Sequence, residues 1–457
     1  MLTASYQSLL QQGWQGVFPQ QRSKQRAIQH AMALPGVVGL RTIAATICAL
    51  GRQHQDWSAD YKIFSRSPWQ ADQLFNPAIA EYLNRYPKGP VAVALDDTKL
   101  AKTGKKIATA SWQRDSMSPP FHVNFIWGLR FLQASLLFPQ YQEGDLLARS
   151  IPVRFNEAPS VKKPGKRSTE EEKKNYRQLV KQQNLSTQAL QVIAGLRGSL
   201  DGMAGMHRRL ALAMDGSFCN RTLFRNPLDR VDLIARCRKD ARLCWPAAAG
   251  SRRKYDPERF TPEQVRQDKK IRWRKARVYF AGDWRQIKYK QLQGVLWRRG
   301  GGTRRLRLII IAPQPYKLST HARVNYREPA YLLCTDLTSS AKALVQIYFD
   351  RWQIEVNHRD EKSILGVGQA QVHSAKSVPR HPAFVVAIYS MLLLSALRRF
   401  GPQRTADYAP LPKWRKNAKR PSLQDLITLL RKENNETFDS PLLNKKEQEN
   451  ITMCAHN

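Results

Sequence analysis

Four side chains that could act on a phosphate group recur at regular spacing between residues 348 and 362. They are the phenol of Tyr348, the guanidinium of Arg351, the carboxylate of Glu355 and the ammonium of Lys362, at offsets of 0, 3, 7 and 14 residues. On an α-helix, which turns about 100° per residue, these offsets fall within a stripe of about 60°. A carboxylate held among phosphate-binding cations suits metal-dependent chemistry on a nucleic acid backbone.

The same run also fits an ordinary amphipathic helix with a solvated charged face. In that case the buried side of the helix would consist of Ile347, Phe349, Trp352 and Val356. The two interpretations differ in what else the chain must provide, because metal-dependent chemistry needs further carboxylates nearby.

Two further carboxylates stand directly after short apolar runs that predict buried strands. Asp96 follows the run 91–95, and Asp215 follows the run 210–214. Acids at strand ends are presented at a sheet edge, although an aspartate there is also a common turn or N-cap residue. If both converge with Glu355, their oxygens suit two Mg²⁺ or Mn²⁺ ions, which together support an in-line phosphoryl displacement.

The charge of the chain favours a polyanionic partner. Across 457 residues, 75 Lys plus Arg stand against 36 Asp plus Glu, a net charge of +39. This excess is far above the value of about 2–8 that solubility needs in a small domain. DNA, RNA and an anionic membrane are therefore the candidate partners.

Several features argue against a membrane or secreted protein. The longest apolar stretch, Phe384–Leu397, has 14 residues and is shorter than the roughly 20 needed to cross a bilayer. The first residues have no basic segment followed by an apolar one, as a signal peptide would. The six cysteines show no CxxC spacing, which disfavours a zinc site and a disulfide framework. We expect a cytoplasmic protein without a membrane anchor.

The elements that must position the acids fall into five regions. Residues 1–85 predict helices, among them Leu40–Leu50 and Trp57–Arg66, which suit either a DNA-binding helix pair or ordinary packing. A charged connector at 152–175 and a helix from about 168 to 200 should precede the second aspartate. The regions are a helical N-terminal part (1–85), the first part of an α/β core (86–220), a basic β-rich insertion (221–335), the second part of the core with the helix of Glu355 (336–400), and a basic and helical C-terminal region (401–457).

The insertion is the most basic part of the chain. Residues 252–307 contain 19 Lys plus Arg against five Asp plus Glu. Strands are expected at 277–284, 287–297 and 304–311, and the three glycines at 300–302 predict a hairpin turn between the last two.

These motifs resemble those of bacterial insertion-sequence DDE transposases. Tyr348, Arg351, Glu355 and Lys362 match the Y-(2)-R-(3)-E-(6)-K signature of the IS-four-like group at every position. The run Leu95–Thr98 resembles that group's first-aspartate motif, and Asp97–Lys105 resembles the "DDT…KxG" run of the IS-seven-oh-one-like transposases. Ala213–Gly216 resembles the second-aspartate region.

The resemblance implies an RNase H-like core interrupted by a β-strand insertion. It implies that Asp96, Asp215 and Glu355 hold two Mg²⁺ or Mn²⁺ ions. It also implies that Arg351 and Lys362 bind phosphates and that Tyr348 hydrogen-bonds one. The D-x-T spacing favours Asp96 over its neighbour Asp97 as the first metal ligand. In related enzymes a tryptophan of the insertion stacks on a flipped base, for which Trp284 and Trp297 are candidates, although sheet packing would also account for both.

The expected function is cut-and-paste DNA transposition, with 3′-end cleavage followed by strand transfer. The expected partners are double-stranded DNA carrying terminal inverted repeats, target DNA and a second copy of the chain. The basic segment 413–420 and the insertion would hold the duplex. Two alternatives remain: a two-metal DNA nuclease or resolvase without strand transfer, and a non-catalytic DNA-binding protein descended from a transposase.

Overall fold

The computed structural model describes residues 1–107, 109–115, 118–119, 121–139, 148–318, 322–415 and 418–438. The fold is mixed α/β, as the sequence predicts. The helices are α1 (Leu2–Gly13), α2 (Gln21–Ala33), α3 (Ile43–Ala49), α4 (Ser58–Ser65), α5 (Asn76–Arg85), α6 (Glu170–Gln182), α7 (Leu185–Asp201), α8 (Arg221–Arg225), α9 (Pro262–Gln267), α10 (Ala341–Asp350), α11 (Gln353–Ser363), α12 (Ser377–Phe400) and α13 (Leu423–Phe438). The strands are β1 (Val91–Ala101), β2 (Ser111–Arg114), β3 (Phe125–Phe138), β4 (Arg149–Glu157), β5 (Leu210–Met214), β6 (Val231–Arg236), β7 (Leu243–Pro246), β8 (Tyr255–Phe260), β9 (Arg274–Phe280), β10 (Asp283–Leu296), β11 (Arg305–Ile311), β12 (Pro315–Tyr316), β13 (Asn325–Tyr326) and β14 (Ala330–Cys334).

Five strands form the part of the sheet that positions the acids, in the spatial order β4-β3-β1-β5-β6. Strand β3 is antiparallel to both β4 and β1, whereas β1, β5 and β6 run parallel to one another. The apolar runs before the two aspartates are strand segments that are buried except for the partly buried Ala92, because helices pack on this part of the sheet.

The strands of the insertion continue the same sheet. Strand β14 pairs with β6 on one side and with β11 on the other, and β10, β7 and β8 follow. Strand β6 lies inside the range 221–335 and yet pairs along its length with β5. The expected hairpin is present, since β10 pairs antiparallel with β11 around the glycines at 300–302.

Three local expectations from the sequence were wrong. The connector expected at 152–175 begins inside β4, because its first residues pair with β3. The helix expected to run to about 200 is two helices, α6 and α7, separated at Gln183 and Asn184. The pattern Ser168–Glu171 predicts a capping box, but the capping box lies one residue later, on Thr169 and Glu172.

The helix that was expected to carry the whole stripe from 348 to 362 is also two helices, α10 and α11. At the junction, Trp352, Ile354 and Glu355 each donate their backbone N–H to the carbonyl three residues earlier. Such 3₁₀ bonds tighten the turn to about 120° per residue, so the residues after the junction are rotated relative to those before it.

The longest helix, α12, is a core helix. It is long and apolar enough to cross a membrane, but 83% of its most apolar window is buried inside the protein. It packs against β4 and α1, and the Ser390 hydroxyl donates to the carbonyl of Pro152 at 2.8 Å. Burial of this kind is what a core helix shows.

The N-terminal helices pack as a bundle around one buried acid. Asp60 of α4 is fully buried and accepts from Arg26, from His30 and from Arg52 at 2.7, 2.7 and 3.3 Å. Eight residues separate α3 from α4, and their contacts with α2 make ordinary packing a sufficient account of this helix pair.

Candidate active site

The two neighbouring aspartates of β1 point to opposite faces of the sheet, as successive strand residues must. On one face of the sheet, the Asp97 carboxylate pairs with the Nε of Arg130, a residue of the neighbouring strand β3, at 2.6 Å. Asp96 faces the α10–α11 junction, where its Oδ2 lies 3.3 Å from the Nη1 of Arg351. Asp96, the first residue of the D-x-T pattern, is thus the acid that points toward the signature run.

Asp215 lies beside Asp96 at the same edge of the sheet. Strands β1 and β5 are parallel with Leu95 opposite Met214, so each aspartate is the next residue beyond the last pair. Asp215 also has the turn role that its sequence suggested, because its Oδ1 accepts from the backbone N–H and hydroxyl of Ser217 at 2.8 and 2.6 Å. Its second oxygen has no hydrogen bond to any residue in the described part of the chain.

The proximity of the two acids affects the ionisation of Asp96. Burial raises the pKa of Asp96 to about 7, the guanidinium of Arg351 opposes this rise, and the charge of Asp215 adds to it. A carboxyl with such a pKa is half protonated near neutral pH, and a cation placed between the two acids would favour its ionised form.

Arg351 joins the strand acid to the helix acid. Its Nη1 lies 3.3 Å from Asp96 and 3.7 Å from Glu355 Oε1. Glu355 is the more open of the two, with 42% of its side chain exposed against 14% for Asp96. One guanidinium therefore occupies the space between two of the three predicted metal ligands.

The structure brings only part of the signature together. Burial raises the pKa of the Tyr348 phenol. The charges of Arg236 and Arg351 oppose this rise and that of Asp215 adds to it, so Tyr348 lies near all three. The Lys362 side chain is exposed at the surface, yet desolvation of its ammonium lowers its pKa. The charges of Glu361, Asp115 and Asp97 oppose this lowering of the pKa.

Two residues near the site were not predicted from the sequence. One is Arg236, at the end of β6, whose charge reaches the Tyr348 phenol. The other is His358, three residues after Glu355 and four before Lys362. Burial lowers the pKa of His358 to about 3, and Lys362 and Arg351 lower it further. Its Nε2 has no hydrogen-bond partner among the described residues. The helical spacing to Glu355 and Lys362 was the available signal.

A fourth acid of the region, Glu361, belongs to the core. It is buried, and burial raises its pKa to about 8, so the carboxyl is largely neutral at pH 7. Gln133 donates its Nε2 to Glu361 Oε1 at 2.9 Å, and Gln133 stands opposite Asp96 in the β1–β3 pairing. Because Glu361 is buried and largely neutral, it differs from the acids at the sheet edge.

Lys102, the residue after β1, forms hydrogen bonds to the loop that follows α11. Its buried ammonium donates to the carbonyls of Gly368 and Ala370 at 2.6 and 2.7 Å. Burial lowers the pKa of Lys102 to about 8. These bonds join the element that carries Asp96 to the chain that leaves the helix of Glu355.

The donor set suits hard divalent cations, although the side chains are not gathered as ligands. In the described ranges, no three His, Cys, Asp or Glu side chains form a group that could hold a metal ion. The acids are instead engaged with Arg351 and with Ser217. Carboxylate oxygens are the ligands that Mg²⁺ and Mn²⁺ prefer, and the raised pKa of Asp96 marks a place where positive charge is stabilising.

The tryptophans considered for base stacking are both partly buried. Trp284 packs edge-on against Tyr279 and lies under the Arg277 guanidinium, while Trp297 packs edge-on against Phe224.

Within the basic segment 413–420, Lys416 and Asn417 lie outside the described residues. Arg420 turns inward, donating to the carbonyl of Ala148 and to Gln353.

Comparison with known proteins gives no assignment. No protein-family model matches this chain, and no curated protein matches it. The functional argument therefore depends on the motifs and on the geometry around Asp96.

Proposed function

We propose that this chain is a DDE transposase with an RNase H-like core. Support comes from the strand order β4-β3-β1-β5-β6, in which only β3 runs antiparallel to the other four strands. Further support comes from α10 and α11, which pack on the sheet face toward which Asp96 points. In this proposal the strands from β7 to β14 are the insertion, and they extend the core sheet through β6.

One observation carries the proposal. Asp96 and Asp215 end neighbouring parallel strands, and Arg351 of the Y-R-E-K run links Asp96 to Glu355. Two acids from separate elements thus share one guanidinium at a sheet edge, and the third acid ends the neighbouring strand. An amphipathic surface helix alone would not need its charged face to pair with a strand-end aspartate.

Asp96, Asp215 and Glu355 are the residues that would hold Mg²⁺ or Mn²⁺. When bound, two such ions activate the attacking oxygen and stabilise the leaving oxygen of a phosphodiester. In the proposed reaction water cleaves the P–O3′ bond at the end of the element. The freed 3′ hydroxyl then attacks a target phosphodiester and displaces a 3′ oxygen of the target strand.

The remaining signature residues position DNA. Arg351 can exchange its carboxylate partners for phosphate oxygens, which a guanidinium binds in a bidentate manner. Lys362 is exposed and makes no hydrogen bond to any described residue, so its ammonium is free to meet a phosphate. His358 stays neutral above about pH 3 and adds no third cation to the helix.

Matched glutamate substitutions on α11 test the catalytic assignment. Glu355→Gln is expected to reduce DNA cleavage by about 100-fold or more with Mg²⁺ or Mn²⁺, while duplex affinity changes little. Glu361→Gln is the control, because Glu361 is already largely neutral at pH 7 and should keep its bond to Gln133. If the two variants cleave DNA equally well, Glu355 is not a catalytic residue. If neither the variants nor the unchanged protein cleave DNA that all three bind, a non-catalytic DNA-binding protein is the better interpretation.

The adjacent aspartates provide a second test at the first ligand. Asp96→Asn should abolish Mn²⁺ binding measured by calorimetry, whereas Asp97→Asn should lose only its ion pair with Arg130. If Asp97→Asn is the variant that loses the metal, the assignment of the first ligand is wrong.

A strand-transfer assay distinguishes the transposase from a nuclease or resolvase. The full chain is incubated with paired terminal repeats, target plasmid and Mg²⁺ or Mn²⁺. Cleaved ends should become joined to target DNA, and the joining complex should contain two copies of the chain. Cleavage without joining would favour hydrolysis alone.

A further inference from the structure

A polar cavity lies on the face of α11 that points away from Glu355. Gln353, Asn357 and Asp360 face it, and their positions on the helix are about 140–200° from that of Glu355. The start of β4, α12 and the segment before α13 close the other sides. The cavity measures about 130 Å³, which is room for one small oxyanion with water rather than for a nucleotide.

Four arginines line this cavity against a single carboxylate. They are Arg149, Arg359, Arg415 and Arg420. The carboxylate, Asp360, is already engaged, since it accepts from Arg359 at 2.9 Å and from the Tyr389 hydroxyl at 3.3 Å.

The positive charge in the cavity is only partly compensated. Burial lowers the pKa of Arg420 to about 9, and the like charge of Arg149 lowers it further. Arg149 makes one hydrogen bond within the described ranges, to the carbonyl of Pro421 at 2.9 Å. Arg415 lies 3.4 Å from Asp425, a carboxylate that also pairs with Arg404. An arginine has five N–H donors, whereas Arg149, Arg415 and Arg420 each make at most two side-chain hydrogen bonds to described residues, so donors remain on all three.

Two buried polar atoms at the cavity also have no partner. The Ser150 hydroxyl and the Asn357 Oδ1 are without hydrogen bonds among the described residues. Their residues are 3% and 1% exposed. Buried polar atoms are normally satisfied, so atoms of this kind beside uncompensated arginines indicate a bound polar species. The hydroxyl can donate to an oxyanion, and the Asn357 oxygen can accept from a water bound to it.

We propose that this cavity is a phosphate-binding site, in which Arg149, Arg415 and Arg420 hold the oxyanion on the reverse face of the helix that carries Glu355. The proposal does not depend on the transposase assignment. The phosphate could be free orthophosphate or a backbone phosphate of DNA, and both present the same oxygens to the guanidinium groups.

Titration of the full-length protein with orthophosphate tests the site. Calorimetry is performed at constant ionic strength, with chloride replacing phosphate in the reference. Saturable binding at one site per chain is expected. Arg149→Gln and Arg415→Gln should each weaken it by about tenfold, the loss of roughly 1.4 kcal/mol. Arg177→Gln, on the exposed surface of α6, is the control and should bind as the unchanged protein does.

Folding defects are separated from loss of binding by a second variant. Arg359 is largely exposed, so Arg359→Ala should keep the melting temperature in chloride and still weaken phosphate binding. Phosphate heats that match chloride, or affinities equal across all these variants, would overturn the proposal.

The two sources of phosphate give different results in competition. If a DNA phosphate occupies the site, duplex DNA should displace orthophosphate, and Arg415→Gln should weaken duplex binding as well. If the occupant is the free ion, DNA and orthophosphate should bind independently. Either result supports the site, and neither depends on whether DNA is cleaved.

Discussion

At the scale of single residues, Asp96 is the side chain on which structure and chemistry depend most. Its folded-state pKa of about 7 exceeds the ordinary value of 3.8, first because of burial and then because of Asp215. The folded chain therefore binds more protons than the unfolded chain between about pH 4 and pH 7. Linkage requires the free energy of unfolding to fall as pH rises through that window, and to level off above it.

Asp96→Asn should remove this dependence. The free energy of unfolding of the variant, relative to that of the unchanged protein, should rise by on the order of 3 kcal/mol as the pH is raised from 4 to 8, because an amide has no charge to bury. Urea unfolding without divalent cations at several pH values measures the gain. Asp97→Asn should instead lose stability, since it removes the ion pair between Asp97 and Arg130 at 2.6 Å. A gain that is the same at pH 4 and pH 8 would contradict the assignment.

The residue types of the site were predictable from sequence, but their partners were not. Asp96, Asp215 and the signature run stand out by spacing alone, and strand alternation indicates that Asp96 and Asp97 diverge. The link from Arg351 to Asp96 spans 255 residues, and no local pattern encodes it. His358 lies at helical spacing from Glu355 and Lys362, but this spacing alone does not distinguish a histidine of the site from one packed in the core.

At the scale of elements, the approach of β3 to β1 sets the position of Asp96. Gly128 of β3 pairs with Ala101, and a Cβ at this glycine would collide with the backbone carbonyl of Leu100. A backbone atom cannot move aside as a flexible side chain can, so the two strands would have to separate.

Gly128→Ala is therefore expected to destabilise the chain by about 2–4 kcal/mol. Gly198→Ala in α7 is the matched control, because its Cβ would meet nothing within 4 Å. In a helix that change should stabilise by about 0.5–1 kcal/mol. Thermal unfolding of both variants provides the comparison, and an equal effect of the two changes would exclude the close strand approach.

Strands were easier to predict from sequence than helix breaks. The run 210–214 was predicted with its observed bounds, since an apolar run between turn residues has few alternatives. The breaks at Gln183 and at Arg351 carry neither glycine nor proline, so periodicity continued through them. At Arg351 the break changes the geometry of the signature run, because the tightened turn rotates α11 relative to Tyr348.

At the scale of the whole molecule, the region predicted to be an insertion and the strands that carry the two aspartates share one sheet. Strand β6 is paired on one edge with β5 and on the other with β14, and the core cluster includes side chains from both parts. The sequence indicated the basic β-rich composition of the insertion. It could not indicate this pairing, because the register between distant strands depends on tertiary contacts.

The net charge of +39 leads to a prediction about how the whole molecule binds DNA. If six or more phosphates are neutralised, the logarithm of the duplex affinity should fall with the logarithm of salt concentration at a slope of about −5 or steeper.

Arg274 and Lys275 are exposed on β9, and their side chains have no partners in the described ranges. Changing both to glutamine should reduce the slope by about 2 if each meets a phosphate. Arg177→Gln on α6 should leave it unchanged if DNA lies along the insertion. Fluorescence anisotropy with a labelled duplex between about 50 and 200 mM KCl measures these slopes. A slope near −1 for the unchanged protein would mean that its charge serves a partner other than a long duplex.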